Sequence, residues 1–149
     1  MCIEPSCSSL LAFVGDELDP TKLVGNFSIE PVRPKKKGDS LGSRPGYPNA
    51  IAHTGYCGFS TSKYVNSNNI NDHIGFLLDE ISNNLDDIKN IIRDDDLSWK
   101  IVCFFYPPQD FRTALSPSNL VKSTEIGIEI INDESTEAVT FVWDSPNPE

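Results

Sequence analysis

Metal-binding residues and long apolar segments are scarce in this sequence. Its 149 residues include four cysteines and two histidines. Cys2 and Cys7 form a single Cys-x4-Cys pair, and neither His53 nor His73 lies at a metal-ligand spacing from them, so we expect no zinc site. No segment approaches the ~20 consecutive apolar residues that span a bilayer. We therefore expect no metal, no cofactor and no insertion into a membrane.

Catalytic and phosphate-binding motifs are also missing. The sequence contains no P-loop, no Rossmann glycine fingerprint, no Gly-x-Ser-x-Gly and no His-Glu-x-x-His. His53 and His73 have no nucleophile or carboxylate at a catalytic spacing, so we interpret both as surface or edge histidines. Cys57 and Cys103 lie in apolar, strand-like segments, where a reduced thiol behaves as a small hydrophobic side chain. The sequence thus favours a protein without enzymatic activity.

The N-terminal segment, residues 1–7, has neither the basic region nor the long apolar region of a secretory signal. We therefore expect a cytoplasmic protein. The length of the chain suits one hydrophobic core, and we predict a single domain over residues 8–144. Residues 145–149, with two prolines, are predicted to be a frayed tail.

Basic residues are few relative to acidic ones. Twelve lysines and arginines oppose 22 aspartates and glutamates, which gives a net charge of −10. Direct binding to nucleic acid is not expected, because neutralising phosphates requires lysine and arginine. The imbalance is one-sided, since residues 1–65 carry a net charge of +1 and residues 66–149 carry −11. Such an acidic surface favours solubility, or electrostatically steered binding to a basic protein.

The apolar pattern predicts an α+β fold. Isoleucines and leucines recur at three- and four-residue steps from Ile70 to Arg93, which predicts one long amphipathic helix with Asn69 as its N-cap. Shorter helices are predicted to start at Asp19-Pro20 and at Ser116-Pro117, the second running through Lys122. Strands are predicted at residues 8–15, 52–62, 99–106, 127–131 and 137–143, with a loop at 38–49. Residues 27–32 are predicted to lead into a further strand, which Pro31 and Pro34 place at an edge or in an irregular position. This order matches a ferredoxin-like, split βαβ core with an added C-terminal helix and one or two strands.

Several short motifs follow one another at characteristic positions. They are Gly15–Pro20 after the first strand, Pro31–Arg33, Lys37–Asp39, Thr54-Gly55 before a strand that ends Ser60–Ser62, and Leu115–Pro117 leading to Gly127–Ile130. In this order, over roughly residues 8–133, the sequence resembles the bacterial domain-of-unknown-function family 4279. The resemblance implies a small α+β domain and brings no established activity. Members usually have a tryptophan two residues after the Thr-Gly glycine, where this chain has Cys57, so a shared site there would be altered.

The basic charge is concentrated in one segment. The residues concerned are Arg33, Lys35, Lys36, Lys37 and Arg44. With the Gly38 turn, and with Tyr47 and Tyr56 facing it, this loop would bind an anionic group. The other interpretation is a solvated, lysine-rich edge that discourages strand pairing. A small-ligand-binding or regulatory module that uses the Lys35–Arg44 loop is therefore our second hypothesis.

Acidic residues occupy the polar face of the predicted long helix and its end. Six of them form the candidate partner-binding set: Asp79, Asp86, Asp87, Asp94, Asp95 and Asp96. They lack the alternating ligands, central glycine and distal glutamate of a calcium-binding loop. A solvated helix end is the commonest interpretation of such residues, and the one-sided charge also favours a contact surface for a basic protein. Our leading hypothesis is a non-enzymatic acidic binding protein, in its most specific form a bacterial immunity protein that masks a basic toxin such as a nuclease.

Overall fold

The chain forms a mixed five-stranded sheet, a separate two-stranded sheet and four helices across residues 6–44, 47–106 and 115–132, which its computed structural model describes. The strands are β1 (Ser6–Gly15), β2 (Val32–Lys35), β3 (Ser40–Arg44), β4 (Tyr47–Ile51), β5 (Gly55–Ser60), β6 (Ser98–Tyr106) and β7 (Glu129–Asn132). The helices are α1 (Pro20–Val24), α2 (Ile70–Asn83), α3 (Leu85–Asp94) and α4 (Pro117–Ile126). The prediction of an α+β fold is confirmed.

Strand β1 is the centre of the large sheet, whose order is β2-β5-β1-β6-β7. It pairs antiparallel with β5 and β6, so Phe13 lies between Cys57 on one side and Trp99 on the other. Strand β2 pairs antiparallel with β5, and β7 pairs parallel with β6. Strands β1 and β6, which have the most continuously apolar sequences, are neighbours in the middle of the sheet. Strands buried on both faces typically have such sequences.

The helices cover one face of this sheet and enclose the core. The isoleucine and leucine stripe of α2 is almost completely buried against residues of β1 and β6 such as Leu11, Phe13 and Ile101. Phe13 and Phe59 meet edge to face at 6.2 Å, and Phe27 stacks on Phe59 at 4.2 Å. Each fully buried leucine or phenylalanine stabilises the fold by roughly 1.5–3 kcal/mol, so this aromatic and aliphatic layer is the main source of stability.

The prediction of one long helix from Ile70 to Arg93 is wrong in one respect, because the helix is interrupted at Asn84. Asn84 has φ −138° and ψ 40°, and its side-chain amide donates to the Asn26 carbonyl at 3.0 Å. After the break α3 packs against α1, and Ile88 of α3 is buried.

Residues 27–32 lead into an edge strand, as predicted: β2 begins at Val32, lies at the edge of the sheet and has a shifted register against β5. Before it, Phe27 packs on Phe59 and Ser28 donates to Glu80. Two other boundaries differ from the predictions. The loop predicted at 38–49 contains the hairpin β3–β4, whose base is closed by hydrogen bonds of Ala52 with the backbone of residues 38 and 39, each 2.9 Å long. Helix α4 continues to Ile126 before Gly127 ends it at φ 87°.

Other predictions are confirmed or lie outside the described residues. The N-caps Asp19, Asn69 and Ser116 each accept a backbone N–H bond from the first turn of their helix. The strand predicted at 137–143 and the tail at 145–149 lie outside the part of the chain that the structure describes. Among the described helices, none combines the length and apolarity that crossing a membrane requires.

Candidate functional site

The six candidate carboxylates lie on two helices rather than one. Asp79 is on α2, Asp86 and Asp87 are in the first turn of α3, and residues 94–96 are at its C-terminal end. Three of the six have a cation of the same chain as a neighbour: Asp79 contacts Lys122 at 2.9 Å, Asp94 contacts Arg93 at 3.3 Å and Asp95 contacts Lys22 at 3.1 Å. Half of the predicted set is therefore compensated internally.

Asp95 is the most enclosed of these carboxylates. Its side chain is 13% exposed, and Lys22 of α1 reaches both of its oxygens, at 3.1 and 3.4 Å. As the C-cap residue of α3, Asp95 also donates its backbone N–H to the Ile91 carbonyl. A carboxylate at a helix C-terminus opposes the helix dipole, and the Lys22 ammonium offsets that cost. Asp95 therefore joins α1 to α3.

Asp86 and Asp87 differ from Asp95 because they are exposed and have no ion pair with any described residue. Their position in the first turn of α3 is the one where the helix dipole favours a carboxylate. Asp96 is exposed too, has no ion pair within the described residues, and adopts φ 54°, a conformation that aspartate tolerates better than most residues. The uncompensated negative charge of the set is thus at Asp86, Asp87 and Asp96.

The basic segment does not form one pocket with Tyr56. Lys35 is the register partner of Tyr56, but the Tyr56 side chain is only 5% exposed and lies with Ala12 on the sheet face away from the helices. Burial raises the pKa of Tyr56 to about 12, and the nearby Arg33 guanidinium acts more weakly in the opposite direction. The side chains of Arg44 and Tyr47 lie outside the described residues.

Lys37 lies where three sequence motifs meet. Its ammonium contacts the Asp16 carboxylate at 3.3 Å. A hydrogen bond from the Thr54 hydroxyl, followed by Lys37, holds the pKa of Asp16 below its usual value. Next to Thr54, a Cβ on Gly55 would lie 2.7 Å from the Gly15 carbonyl, so only glycine fits there. The Gly15–Pro20, Lys37–Asp39 and Thr54-Gly55 motifs therefore meet at one end of the sheet.

Opposite charges are interleaved at this same end, in a group that we call the sheet-end cluster. Its members are Asp16, Asp19, Lys22, Lys36, Lys37 and Asp95. The hydroxyl and backbone N–H of Thr21 lower the pKa of Asp19, and the positive charges of Lys36 and Lys22 add to that effect. The basic turn and the C-terminal end of α3 are thus neighbours, which the sequence gives no sign of because 50 residues or more separate them.

His73 is buried, so its interpretation as a surface or edge residue is wrong. Its side chain is 1% exposed, with Nδ1 2.6 Å from the Thr61 hydroxyl and Nε2 2.8 Å from the Ser67 carbonyl. Because a carbonyl only accepts, Nε2 carries the proton, and Nδ1 accepts from Thr61, whose oxygen accepts the Ser9 N–H at 2.9 Å. Both ring nitrogens are hydrogen-bonded within the fold, so His73 joins α2 to Thr61 and, through Thr61, to β1. His53 is exposed, as predicted.

The described cysteines are protected thiols. Cys57 and Cys103 are buried in the core, and burial raises the pKa of each thiol to about 12. Burial, and then the charge of Asp72, also raise the pKa of the half-buried Cys7. None of these thiols has the lowered pKa of a nucleophile, which confirms the structural interpretation of Cys57 and Cys103. Among the described residues, no group of three or more His, Cys, Asp or Glu side chains is arranged to hold a metal ion.

Comparison with known proteins gives one match. Residues 5–136 match the model of a protein family described as a domain of unknown function, DUF4279. No curated protein and no solved structure matches this chain significantly. The matched range contains every described motif and both charged regions.

Proposed function

The chain belongs to the DUF4279 family, which has no established activity, and we propose that it is a non-enzymatic acidic binding protein that captures a basic protein in the cytoplasm. In its most specific form it is a bacterial immunity protein that neutralises a basic toxin, such as a nuclease. The partner is a protein, and neither nucleic acid nor a membrane is bound directly.

The observation that carries this proposal is the uncompensated pair Asp86 and Asp87. Residues 70–96 contain eight carboxylates and only two basic side chains, Lys89 and Arg93. Arg93 pairs with its neighbour Asp94. Asp86 and Asp87 are left exposed and adjacent on one short helix. Adjacent carboxylates presented on one helix attract a basic surface at long range and accelerate its association.

The internal ion pairs divide the six candidate residues by role. Asp86 and Asp87 are the main contact residues, with Asp96 at the other end of α3. Asp79 and Asp94 have exposed ion pairs, which contribute little to stability and would exchange readily for a partner's cation. Asp95, which Lys22 and the end of α3 enclose, has mainly a structural role.

A charge reversal tests this assignment. The double variant Asp86→Lys/Asp87→Lys is compared with Glu17→Lys/Glu30→Lys, which changes the net charge equally at two exposed residues elsewhere. Proteins encoded by neighbouring genes are screened for binding, and the association of any basic one that binds is measured by biolayer interferometry at two salt concentrations. We expect the first variant to associate about tenfold more slowly, and the wild-type rate to fall with salt. Equal rates for the two double variants would show that the assignment is wrong.

Within the α+β class, we propose that the fold has a ferredoxin-like core. The order β2-β5-β1-β6, with α1 between β1 and β2 and helices between β5 and β6, supports this plan. In this description the β3–β4 hairpin is an insertion, and α4 with β7 is the C-terminal addition. An experimental structure that does not place β1 between β5 and β6 would contradict it.

A second candidate function is a small-ligand or regulatory module at the Lys35–Arg44 loop. Lys35 and Lys36 favour it, because these adjacent cations have no ion pair with a described residue and would attract an anionic group. Thermal shifts with inorganic phosphate, citrate and ATP test it. Stabilisation that is lost in Lys35→Gln/Lys36→Gln but kept in Lys63→Gln would support this function, and no stabilisation by any of the three would reject it.

A further inference from the structure

The cleft between α4 and β7 suggests how a basic partner would be retained after capture. We propose that this cleft takes an apolar side chain that basic residues flank in the partner's sequence. The proposal rests on the proposed function, because it assigns the partner's apolar anchor to a site on α4, the helix that packs against the acidic helix α2.

The cleft is large enough for such a side chain. Its volume is about 420 Å³, and the apolar part of its lining comes from Leu115, Leu120, Ile128 and Ile130. Ligand pockets in proteins occupy roughly 300–1,000 Å³. The lining residues belong to a helix and to the strand that follows it, and Gly127 joins the two in the left-handed conformation. The walls of the cleft are therefore set by regular secondary structure.

The neighbouring surface of α4 is apolar without serving the core. Leu120 is 53% exposed and Val121 is 55% exposed, whereas the core-facing residues of the helix are Asn119, Ser123 and Ile126. Within the described residues, only four large hydrophobic side chains are exposed, and these two are adjacent. Exposed apolar side chains grouped beside a cleft are typical of contact surfaces.

The charges around the cleft specify a cationic neighbour. Glu129 lines the cleft, and Glu125 lies one turn after Val121 on the same side of α4. Both glutamates are exposed, and neither has an ion pair with a described residue. Among the nearest cations, Lys122 pairs with Asp79, and Lys100, the register partner of Glu129, forms no ion pair with it. An apolar anchor flanked by lysine or arginine therefore complements this site.

Helix α4, which forms one wall of the cleft, also packs against the acidic helix α2. The Lys122 ammonium on α4 reaches the Asp79 carboxylate on α2 at 2.9 Å. Protein interfaces combine an apolar, desolvated centre with a polar rim, and the apolar anchors supply most of the affinity. Carboxylates on α3 would govern the association rate, whereas the cleft would govern the dissociation rate.

Three labelled peptides test the proposal with the full chain. One has a Leu-Trp-Leu centre between lysine pairs, the second replaces that centre by Ser-Ser-Ser, and the third keeps the apolar centre between glutamate pairs. Fluorescence anisotropy measures the dissociation constant of each. We expect the first peptide to bind about tenfold more tightly than the other two, and Leu120→Ser to lose that difference. The matched control Ile51→Ser, which removes an exposed apolar side chain elsewhere, should keep it. Thermal melting confirms that both variants are folded.

The outcomes separate this inference from the proposed function. Equal binding of the two lysine peptides, unchanged by Leu120→Ser, overturns the inference and leaves charge-driven capture intact. Equal binding of the two apolar-centred peptides overturns it as well, because the cleft then does not select basic flanks. No binding of any peptide, together with slow association of Asp86→Lys/Asp87→Lys to the encoded partner, rejects the cleft as the anchor site while the proposed function stands.

Discussion

The sheet-end cluster and the start of α3 are both rich in charge, but only the first balances it. In the cluster, Lys37 pairs with Asp16 and Lys22 pairs with Asp95. At the start of α3, Asp86 and Asp87 have no such neighbour among the described residues. Charged residues that the fold uses to join its own elements are poor candidates for a partner, and those that it leaves unpaired are better ones. A charged residue is therefore better judged as a candidate contact by whether the fold already pairs it than by the number of charges around it.

The largest effect is expected at the glycine that lets the sheet-end motifs approach each other. Gly55→Ala would place a Cβ 2.7 Å from the Gly15 carbonyl and from the Leu18 Cβ. We expect a loss of about 1–3 kcal/mol in the free energy of unfolding, since backbone and core atoms must move. Urea denaturation measures it.

Gly25→Ala is the matched control for that variant, because a Cβ there has no atom within 4 Å and φ is −66°. It should leave stability unchanged or slightly higher. Equal stability of the two alanine variants would show that the motif junction is not tightly packed.

A smaller effect compares a balanced carboxylate with an unbalanced one. Asp95→Asn removes the partner of Lys22 in a side chain that is 13% exposed, and we expect a loss of up to about 1 kcal/mol in the free energy of unfolding. Asp86→Asn loses only a favourable interaction with the helix dipole, about 0.5 kcal/mol. Thermal denaturation at low salt measures both losses of stability. A larger loss for Asp86→Asn would reverse the assignment of structural and contact roles.

The smallest effect is the titration of Asp16. Its pKa lies below the ordinary value of 3.8, first because of the Thr54 hydroxyl and then because of Lys37. The stability from these contacts is therefore present above pH 3.8 and is lost as the pH falls through the folded-state pKa. We expect Thr54→Val to raise the Asp16 pKa more than Lys37→Gln does, as measured by carboxyl NMR shifts. The Asp19 pKa, which Thr21 lowers, should not respond to Thr54→Val.

Local patterns predicted the parts of the fold that depend on nearby residues. The buried stripe of α2 and the three N-caps follow from spacing and from residue types within one turn. The break at Asn84 was not predicted, because the Asn84–Asn26 contact and the packing of α3 on α1 join residues that are far apart in the chain. The burial of His73 was not predicted either, because it depends on the packing of α2 against the sheet and on a hydrogen bond with Thr61.

The candidate site was predictable in composition but not in arrangement. The sequence identifies the acidic residues and the basic turn, yet it gives no indication that Lys22 encloses Asp95 or that Lys37 lies against Asp16. The exposed pair Leu120 and Val121 was also missed. The sequence shows only two adjacent apolar residues in a predicted helix, and it does not indicate that the helix turns Asn119 and Ser123 toward the core instead of these two.

Because the helix is interrupted at Asn84, α2 and α3 differ in how easily each unfolds locally. Helix α2 buries six residues, whereas α3 buries only Ile88. Local unfolding is easiest where few apolar contacts hold an element, so the amide protons of α3 should exchange with solvent before those of α2. A partner that binds Asp86 and Asp87 would slow this exchange, so the exchange rate of the α3 amides would measure how much of the protein has bound its partner.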